Sequence, residues 1–361
     1  MSSTATVDFD VLVNATQIAA AAVVGVVVDR DLDQPAMCVV TLRNPVHAYT
    51  NKYALGASVE LRVDGATPST APVRVKTTIF KGELIGLEPH HTPGDSQLSL
   101  RAFDRLHRLT RGRKSKTYQN QSDQDIVSAV VQEHGLSAET GSTPTITHSH
   151  VYQHNQTDLE FILNRARAIG YQVWCEDTKL FFAAPKLDPY SGLDFVLGTQ
   201  SQAGALRLTA FSARTSNAHV VRSVTVRGRN PETGEEIVGD ATAGATSPLG
   251  SVPAVTTLDS FRQIDTFTVD HPIFSVEEAK AIAKSKLDEL AMTYLTAEAE
   301  TQGNARLKPG IVVKIVVNPE DVHDRFNGKY LVRGCTHRID NSPTSGGYTT
   351  IMRLARDAER G

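Results

Sequence analysis

The sequence predicts a mainly β fold with an α/β insertion, that is, an α+β protein of two related small β-barrels, one inserted module and one long helix. Three observations point there. Both ends of the chain consist of short β-branched runs broken by Gly, Pro and Asn turns. The middle carries two capped, amphipathic helical segments. The two β-rich ends also repeat one order of events. These divide the chain into a first barrel over 1–112, a module over 113–190, and a second barrel over 191–361 that contains a helix at 275–295.

In the first barrel, VDFDVLV alternates apolar and polar residues, and AAVVGVVVD is β-branched enough for a buried strand. AMCVVTLRN, SVELRV, FKGELIGLE and SQLSLRAF follow, separated by the turn clusters QP, NP, DGATPST and HTPGD. RLHRLTRGRKSK, residues 105–116, then concentrates Arg105, Arg108, Arg111, Arg113, Lys114 and Lys116. It reads as a solvated basic crossing or a docking site for an acidic protein. It lacks the interleaved stacking aromatics that nucleic-acid binding favours.

In the module, Ser122 and Asp125 have capping-box spacing, Ile126, Val127, Val130 and Val131 share one helix face, and Gly135 ends the helix. Thr157 and Glu160 repeat the capping box, with Leu159, Ile162, Leu163, Ala166 and Ile169 as the buried stripe and Gly170 as the stop. Residues 171–175 and 180–184 then pair as a hairpin across EDTK. In the second barrel, SVTVRGRNPETGEEIVG reads as strand, turn and strand, and ATAGATSPLGSVPAVTT as a mobile loop. Ser275 and Glu278 cap the long helix, whose stripe is Ala279, Ile282, Ala283, Leu287, Leu290 and Ala291. TAEAETQ, IVVKIVV, GKYLVRGCTHRI and YTTIMRLAR close the chain as strands.

The repeat matches LGASVELRV, FKGELIGLEPHH and LSLRAFDR with LKPGIVVKIVV, FNGKYLVRGCTH and TTIMRLARD. Gly82 and Gly328 sit in the same Phe-x-Gly frame, and Arg101 and Arg353 fall at matching places in the closing strand. Two related barrels make a pseudo-twofold subunit; three such subunits supply six similar barrels for a ring, which removes exposed sheet edges.

Composition narrows the function. With 37 Lys and Arg against 40 Asp and Glu, the net charge is −3, which leaves no global footprint for nucleic acid or an anionic membrane. No apolar run is long enough for a membrane span, and MSSTATVDFD is no secretory signal. Cys38, Cys175 and Cys335 are distant and odd in number, which argues for reduced thiols and synthesis in a reducing cytoplasm.

The reactive side chains have structural readings. Asp158 and Glu160 lie in the first helical turn, where the macrodipole favours negative charge, and residues two apart do not face each other. They read as helix-start residues, not as an acid/base pair. His148, His150 and His154 share strand parity and form the one candidate metal set, but no Cys or carboxylate stands at a ligand spacing, which favours a polar strand face. His154 keeps a role to be tested. Trp174 reads as a packing aromatic and Cys175 as a thiol without a partner base. NPEDVHDRFNG, residues 318–328, gathers Glu320, Asp321, His323 and Asp324 without the calcium-loop pattern and reads as a solvated turn. No G-x-S-x-G, H-E-x-x-H, Walker A or G-x-G-x-x-G motif is present. No catalytic, cofactor-binding or metal residue is assigned.

Thr157, Asp158, Phe161, Ile162, Arg165, Ala166 and Gly170 fit a pattern S/T-D-x-x-F-hydrophobic-x-R-hydrophobic-A-x-x-x-G, with Arg165 one place after the pattern's own arginine. In the second half, LKPGIVVKI, GKYLV, His337 and YTTIMRLARD follow an Ala- and Lys-rich helix. In this order the chain resembles the late-control D family of phage tail hub proteins and the hub portion of VgrG proteins of type VI secretion. The resemblance implies a non-catalytic homotrimer whose six barrels form a ring between a sixfold tail tube and a threefold spike. The setting would be a contractile phage tail, a tailocin or a contractile injection system. Implied partners are the spike on one face and the tube protein on the other, with tape-measure and baseplate wedge proteins as further candidates. No cofactor, nucleic acid or membrane insertion by the chain itself is implied. VgrG proteins continue into an oligonucleotide/oligosaccharide-binding-type domain and a β-helical spike; this sequence stops at Gly361, so the spike is expected on a separate polypeptide. The runs 80–88 and 326–334 are the expected frame-setting strands. Two other function classes remain as alternatives: a tail-associated cell-wall hydrolase and a carbohydrate-binding adhesin module.

Overall fold

The computed structural model describes residues 7–64, 76–142, 146–188, 190–198, 205–230, 233–260, 265–268, 273–342 and 346–360. The first unit holds β1 (Phe9–Val13), β2 (Thr16–Gln17), β3 (Val23–Asp31), β4 (Met37–Arg43), β5 (Ser58–Asp64), β6 (Lys76–Thr92) and β7 (Asp95–Phe103). The module holds β8 (Lys114–Ser122), α1 (Asp123–Glu133), β9 (Ser137–Thr140), β10 (Thr147–Gln156), α2 (Asp158–Ala168), β11 (Gln172–Glu176) and β12 (Lys179–Ala183). The second unit begins with β13 (Asp194–Leu197), β14 (Leu206–Thr215), β15 (Ser223–Arg229), β16 (Glu236–Thr242), β17 (Val252–Pro253), β18 (Asp265–Thr268) and α3 (Val276–Ala291). It ends with β19 (Leu295–Gln302), β20 (Val312–Val316), β21 (Gly328–Asp340), β22 (Gly347–Arg356) and β23 (Ala358–Glu359). Of the expected turn DGATPST, everything after Asp64 lies outside the described residues.

The sheet topology carries the repeat. In the second unit the ladders run β13-β20-β21-β22-β19-β14 and return to β13, which closes a six-stranded barrel. The first unit has the spatial order β1-β5-β6-β7-β4-β3. Taken in chain order, its six strands occupy the same places as β13, β14, β19, β20, β21 and β22. Two differences stand out. β1 runs antiparallel to β5, whereas β13 runs parallel to β20, so the closing strand is reversed. Among the described residues no ladder joins β1 to β3; β3 pairs instead with β21 and fuses the two units into one sheet.

Both repeats bulge at the same place. The β6–β7 register shifts between Leu84 and Gly86, and the β21–β22 register shifts between Val332 and Gly334. After each bulge a glycine faces an arginine, Gly86 opposite Arg101 and Gly334 opposite Arg353. The two arginines are therefore equivalent, as expected. The Phe-x-Gly frame is not: anchored on the bulges, Gly328 corresponds to Phe80 and lies two residues from the place of Gly82. The two glycines also answer different needs. A Cβ on Gly82 would sit 2.1 Å from the Phe103 carbonyl oxygen, whereas Gly328 has φ of 138°.

The helices form where their caps and stripes place them. Ser122 and Thr157 each make a full capping box with Asp125 and Glu160. Ser275 Oγ accepts from the Glu278 N–H, but the Glu278 carboxylate reaches the N–H of Phe274. α3 ends at Ala291, earlier than expected, and Leu295 opens β19. α3 packs on β15 and β16, giving the second unit its own α/β excursion, with Val224, Val226, Ala279, Ile282 and Leu287 as its core. A Cβ on Gly239 of β16 would lie 2.4 Å from the α3 backbone, so the glycine lets sheet and helix touch. The segment expected as a mobile loop, 241–257, is instead anchored. Leu249 is fully buried against Val312 and Leu331, and β17 pairs with β23.

Candidate interface and polar clusters

The basic run at 105–116 divides: Arg105–Leu109 is packed, whereas Arg111, Arg113 and Lys116 are exposed, as expected. Residues 105–110 form a 3-10 helix whose Leu106 and Leu109 are buried in the module core beside Ile126, Val130 and Phe161. Its leucines repeat three apart, so the arginines fall on the opposite side and meet acids. Arg108 and Arg105 both donate to Glu83 of β6, and His107 Nε2 lies 3.1 Å from the same carboxylate. Arg105 also pairs with Asp177 of the β11–β12 turn. The Arg108 hydrogen bonds hold the Glu83 carboxyl down at about 2. Glu83 thus clamps the first unit to the module. Its signal in the sequence was the i,i+3 alternation of Leu and Arg.

Asp158 and Glu160 part company. Glu160 is exposed, completes the cap of α2 and pairs with Arg113 at 2.8 Å. Asp158 is only 5% exposed and is more than a helix-start charge. It accepts from Gln153 at 2.9 Å, lies 2.7 Å from His134 Nε2 and 2.9 Å from Lys114 Nζ. Burial raises its pKa, but these partners outweigh it, and the carboxyl lies below its ordinary range. It ties β8, β10, α1 and α2 together.

The three histidines are not gathered. His148 is buried, whereas His150 and His154 are exposed and flank Tyr152 on the outside. The parity breaks between His148 and His150; Asn120, between their partners Gln121 and Gln119 on β8, has φ of 52°. His148 belongs to a buried ion cluster. Arg165 Nε and Nη2 donate to Asp123 at 2.5 and 3.2 Å, and Nη2 also donates to His148 Nε2 at 2.8 Å. The other ring nitrogen lies 3.5 Å from Glu278 at the start of α3. This cluster joins the two α/β excursions. Among the described residues no group of three or more His, Cys, Asp or Glu is arranged to hold a metal ion.

The remaining reactive groups are packed. Trp174 stacks on Phe181 across the hairpin at 4.8 Å. Burial pushes the Cys175 thiol up to about 12. His337 is fully buried: its Nε2 donates to the Leu307 carbonyl at 3.1 Å, and its Nδ1 accepts from Tyr348 Oη at 2.8 Å. Burial pushes its pKa down to about 3. Cys335 Sγ lies 3.5 Å from His337 Nε2, but both side chains are 0% exposed, so no substrate reaches the pair. In the 318–328 turn, Asn327 accepts from the N–H groups of Val317 and Asn318, and Asp321 and Asp324 accept from backbone N–H groups of His323 and Phe326. Buried Arg356, unforeseen in the sequence, stacks on Tyr330 and donates to the Asn327 carbonyl.

The seam between the units remains. β3 pairs with β21 from Asp31 opposite Gly334 to Gly25 opposite Asp340. Arg353 crosses over Gly334 to reach Asp29 and Asp31 at 3.1 Å each, and Thr336 donates to Asp29 at 2.7 Å. A Cβ on Gly334 would lie 2.4 Å from the guanidinium, so the glycine makes the crossing passable. An open cleft of about 540 Å³ lies where the two units meet the module; Lys308–Glu176 and Lys81–Asp177 ion pairs line it.

The profile of the Alg8 N-terminal domain matches residues 3–341. The chain belongs to the Alg8 N-terminal domain family. No curated protein matches the sequence. Solved structures place this family member's fold. The tail protein from Neisseria meningitidis MC58 superposes with a TM-score of 0.70 at 13% identity, over 98% of this chain and 97% of that one. The 43 kDa tail protein of prophage MuSo2 from Shewanella oneidensis has the same score and identity, over 98% of this chain and 99% of that one. The E. coli c3393 protein is a component of the type VI secretion system and exhibits structural similarity to the T4 bacteriophage tail proteins gp27 and gp5. It gives 0.60 at 14% identity, over 98% of this chain and 77% of that one. At these identities the likeness is one of fold, and it covers 98% of this chain.

Proposed function

We propose that the chain is a structural hub of a contractile tail or injection system, a homotrimer whose six barrel units form a ring between tail tube and spike. One observation carries this reading: six strands recur in the same chain and spatial order in both halves, and the halves are fused edge to edge. A subunit with two like units end to end matches sixfold symmetry on one side while keeping threefold symmetry on the other. The end-to-end likeness to phage tail proteins and a type VI secretion component supports it. The role is non-catalytic. Asp158, Asp123, Glu83 and His337 hold elements together, and their environments answer to packing. The spike binds one face of the ring, the tube protein the other, and tape-measure and baseplate wedge proteins adjoin it. The protein is made in the bacterial cytoplasm and assembled there into the baseplate. Electron microscopy of the full-length chain, alone and with its spike protein, tests the reading: rings of three copies support it, and a monomer that joins neither tube nor spike protein overturns it.

A further inference from the structure

We infer that copies of this chain join head to tail through a β-ladder between the outer edge of β14 in one copy and the outer edge of β6 in the next. This deepens the ring reading and rests on it for the number of copies.

The repeat supplies the template. Within the chain, β3 of the first unit pairs with β21 of the second. β14 is the second unit's counterpart of β3, and β6 is the first unit's counterpart of β21. Among the described residues both counterparts lack a ladder on the matching edge. β13 covers β14 only at residues 206–208, and β5 follows β6 only to Glu83, with Leu84 bonded to Gly56 and Ala57. Two bare edges of opposite kind thus remain on one chain, and bare edges are pairing sites.

Backbone parity fits. The Ser216 N–H donates to the Tyr294 carbonyl, so even-numbered residues of β14 face β19 and residues 211, 213 and 215 face outward. Thr92 pairs with Asp95 across a two-residue turn, so even-numbered residues in the outer half of β6 face β7 and residues 87, 89 and 91 face outward. Pro89 therefore stands where its missing N–H leaves the first unit intact, and it removes one bond from the new ladder. The in-chain register sets Arg30 opposite Cys335, Asp29 opposite Thr336, Val28 opposite His337 and Val26 opposite Ile339. Carried over through the repeat, it sets Thr215 opposite Leu87, Arg214 opposite Glu88, Ala213 opposite Pro89 and Phe211 opposite His91.

The charges agree with that register. In the chain the acids sit on β3, as Asp29 and Asp31. Between copies the signs exchange, with Arg214 on β14 and Glu88 on β6. Glu88 already binds Arg101 in bidentate fashion at 2.7 and 3.1 Å, and exposed Arg214 is in no ion pair among the described residues. A contact that uses different surfaces on the two copies propagates and closes into a ring when the rotation permits.

Oxidative cross-linking of the full-length chain tests the register. Glu88 and Arg214 would form a non-hydrogen-bonded pair, with Cα atoms about 4.5 Å apart, within disulfide reach. The double variant E88C/R214C should cross-link between copies, while each single variant and E88C/S212C should not; Cys38, Cys175 and Cys335 are buried and do not compete. Ala213→Pro should leave the melting temperature of the monomer unchanged and abolish rings. Arg214→Glu and Glu88→Arg should each weaken assembly and together restore it. Rings that form without the E88C/R214C cross-link, or that survive Ala213→Pro, overturn the ladder and leave the ring reading standing. A wild-type chain that forms no ring, alone or with its spike protein, overturns both.

Discussion

Arg101 and Arg353 stand at the same place in the two repeats, each opposite the glycine that follows a bulge, and they do different work. Arg353 reaches across Gly334 to two aspartates on β3 and fastens one unit to the other. Arg101 stays within its own unit, folded onto Glu88. The difference lies in the neighbour. β21 has β3 alongside, whereas the outer half of β6 has no strand beside it among the described residues. A repeat keeps its backbone plan and changes its charges where one copy joins within the chain and the other faces outward.

The strongest way to break this comparison is a proline at equivalent places. Val28 is paired on both sides, with Cys38 and His337, so Val28→Pro should cost of order 3 kcal/mol or more and unfold much of the chain. Ala213→Pro should leave thermal unfolding unchanged. Equal losses on heating would show that the two edges are not different. Acid comes next. His337 lies in the seam with its pKa pushed down to about 3 by burial. The unfolded chain therefore binds the extra proton first. This contribution is fully present above about pH 6.5 and is lost as pH falls from there toward 3. Glu83, held at about 2, adds a contribution lost between about pH 4.5 and 2. Denaturant melts from pH 7 to 3 should show a steep acid limb that His337→Gln flattens in its upper part and Glu83→Gln in its lower part.

Smaller effects sharpen the picture. Asp158→Asn should destabilise by about 1–3 kcal/mol, because it leaves His134 and Lys114 without their buried acceptor. Thr157→Ala should cost about 1 kcal/mol through the lost cap. Both should act on folding and, once the protein is folded, leave ring formation intact; a variant that folds normally yet loses a lytic activity would revive the hydrolase reading. The smallest change separates the two arginines. Arg353→Ala should lower stability by at most about 1 kcal/mol, since the pair is partly solvated. Arg101→Ala should leave unfolding untouched and change only how copies associate, a difference visible in paired melting and sedimentation runs.

Much of the fold was legible in the sequence because its signals are local. Ser122, Thr157 and Ser275 cap helices where their spacing says they should, and the β-branched runs at both ends are strands. What escaped depends on contacts distant in the chain. The arginines of 105–108 looked solvated because Glu83 and Asp177, their partners, lie far off in sequence. Residues 241–257 looked mobile because small and polar residues hide the anchor Leu249 and its pairing with the C-terminal β23. The Phe-x-Gly frame misplaced the repeat by two residues, since a bulge is set by twist and not by residue type. His148 left its expected face at a point where the neighbouring strand carries Asn120 in the left-handed region, a distortion that the alternation of His148, His150 and His154 does not announce.

The central claim is that like units close a ring through three copies. The mass of the assembled full-length chain in solution, with images of the same sample, measures this most directly. The account predicts a particle of three 39.1 kDa chains with six similar lobes around a channel. A stable monomer at high concentration, with and without the spike protein, or an open filament in place of a closed ring, would contradict it.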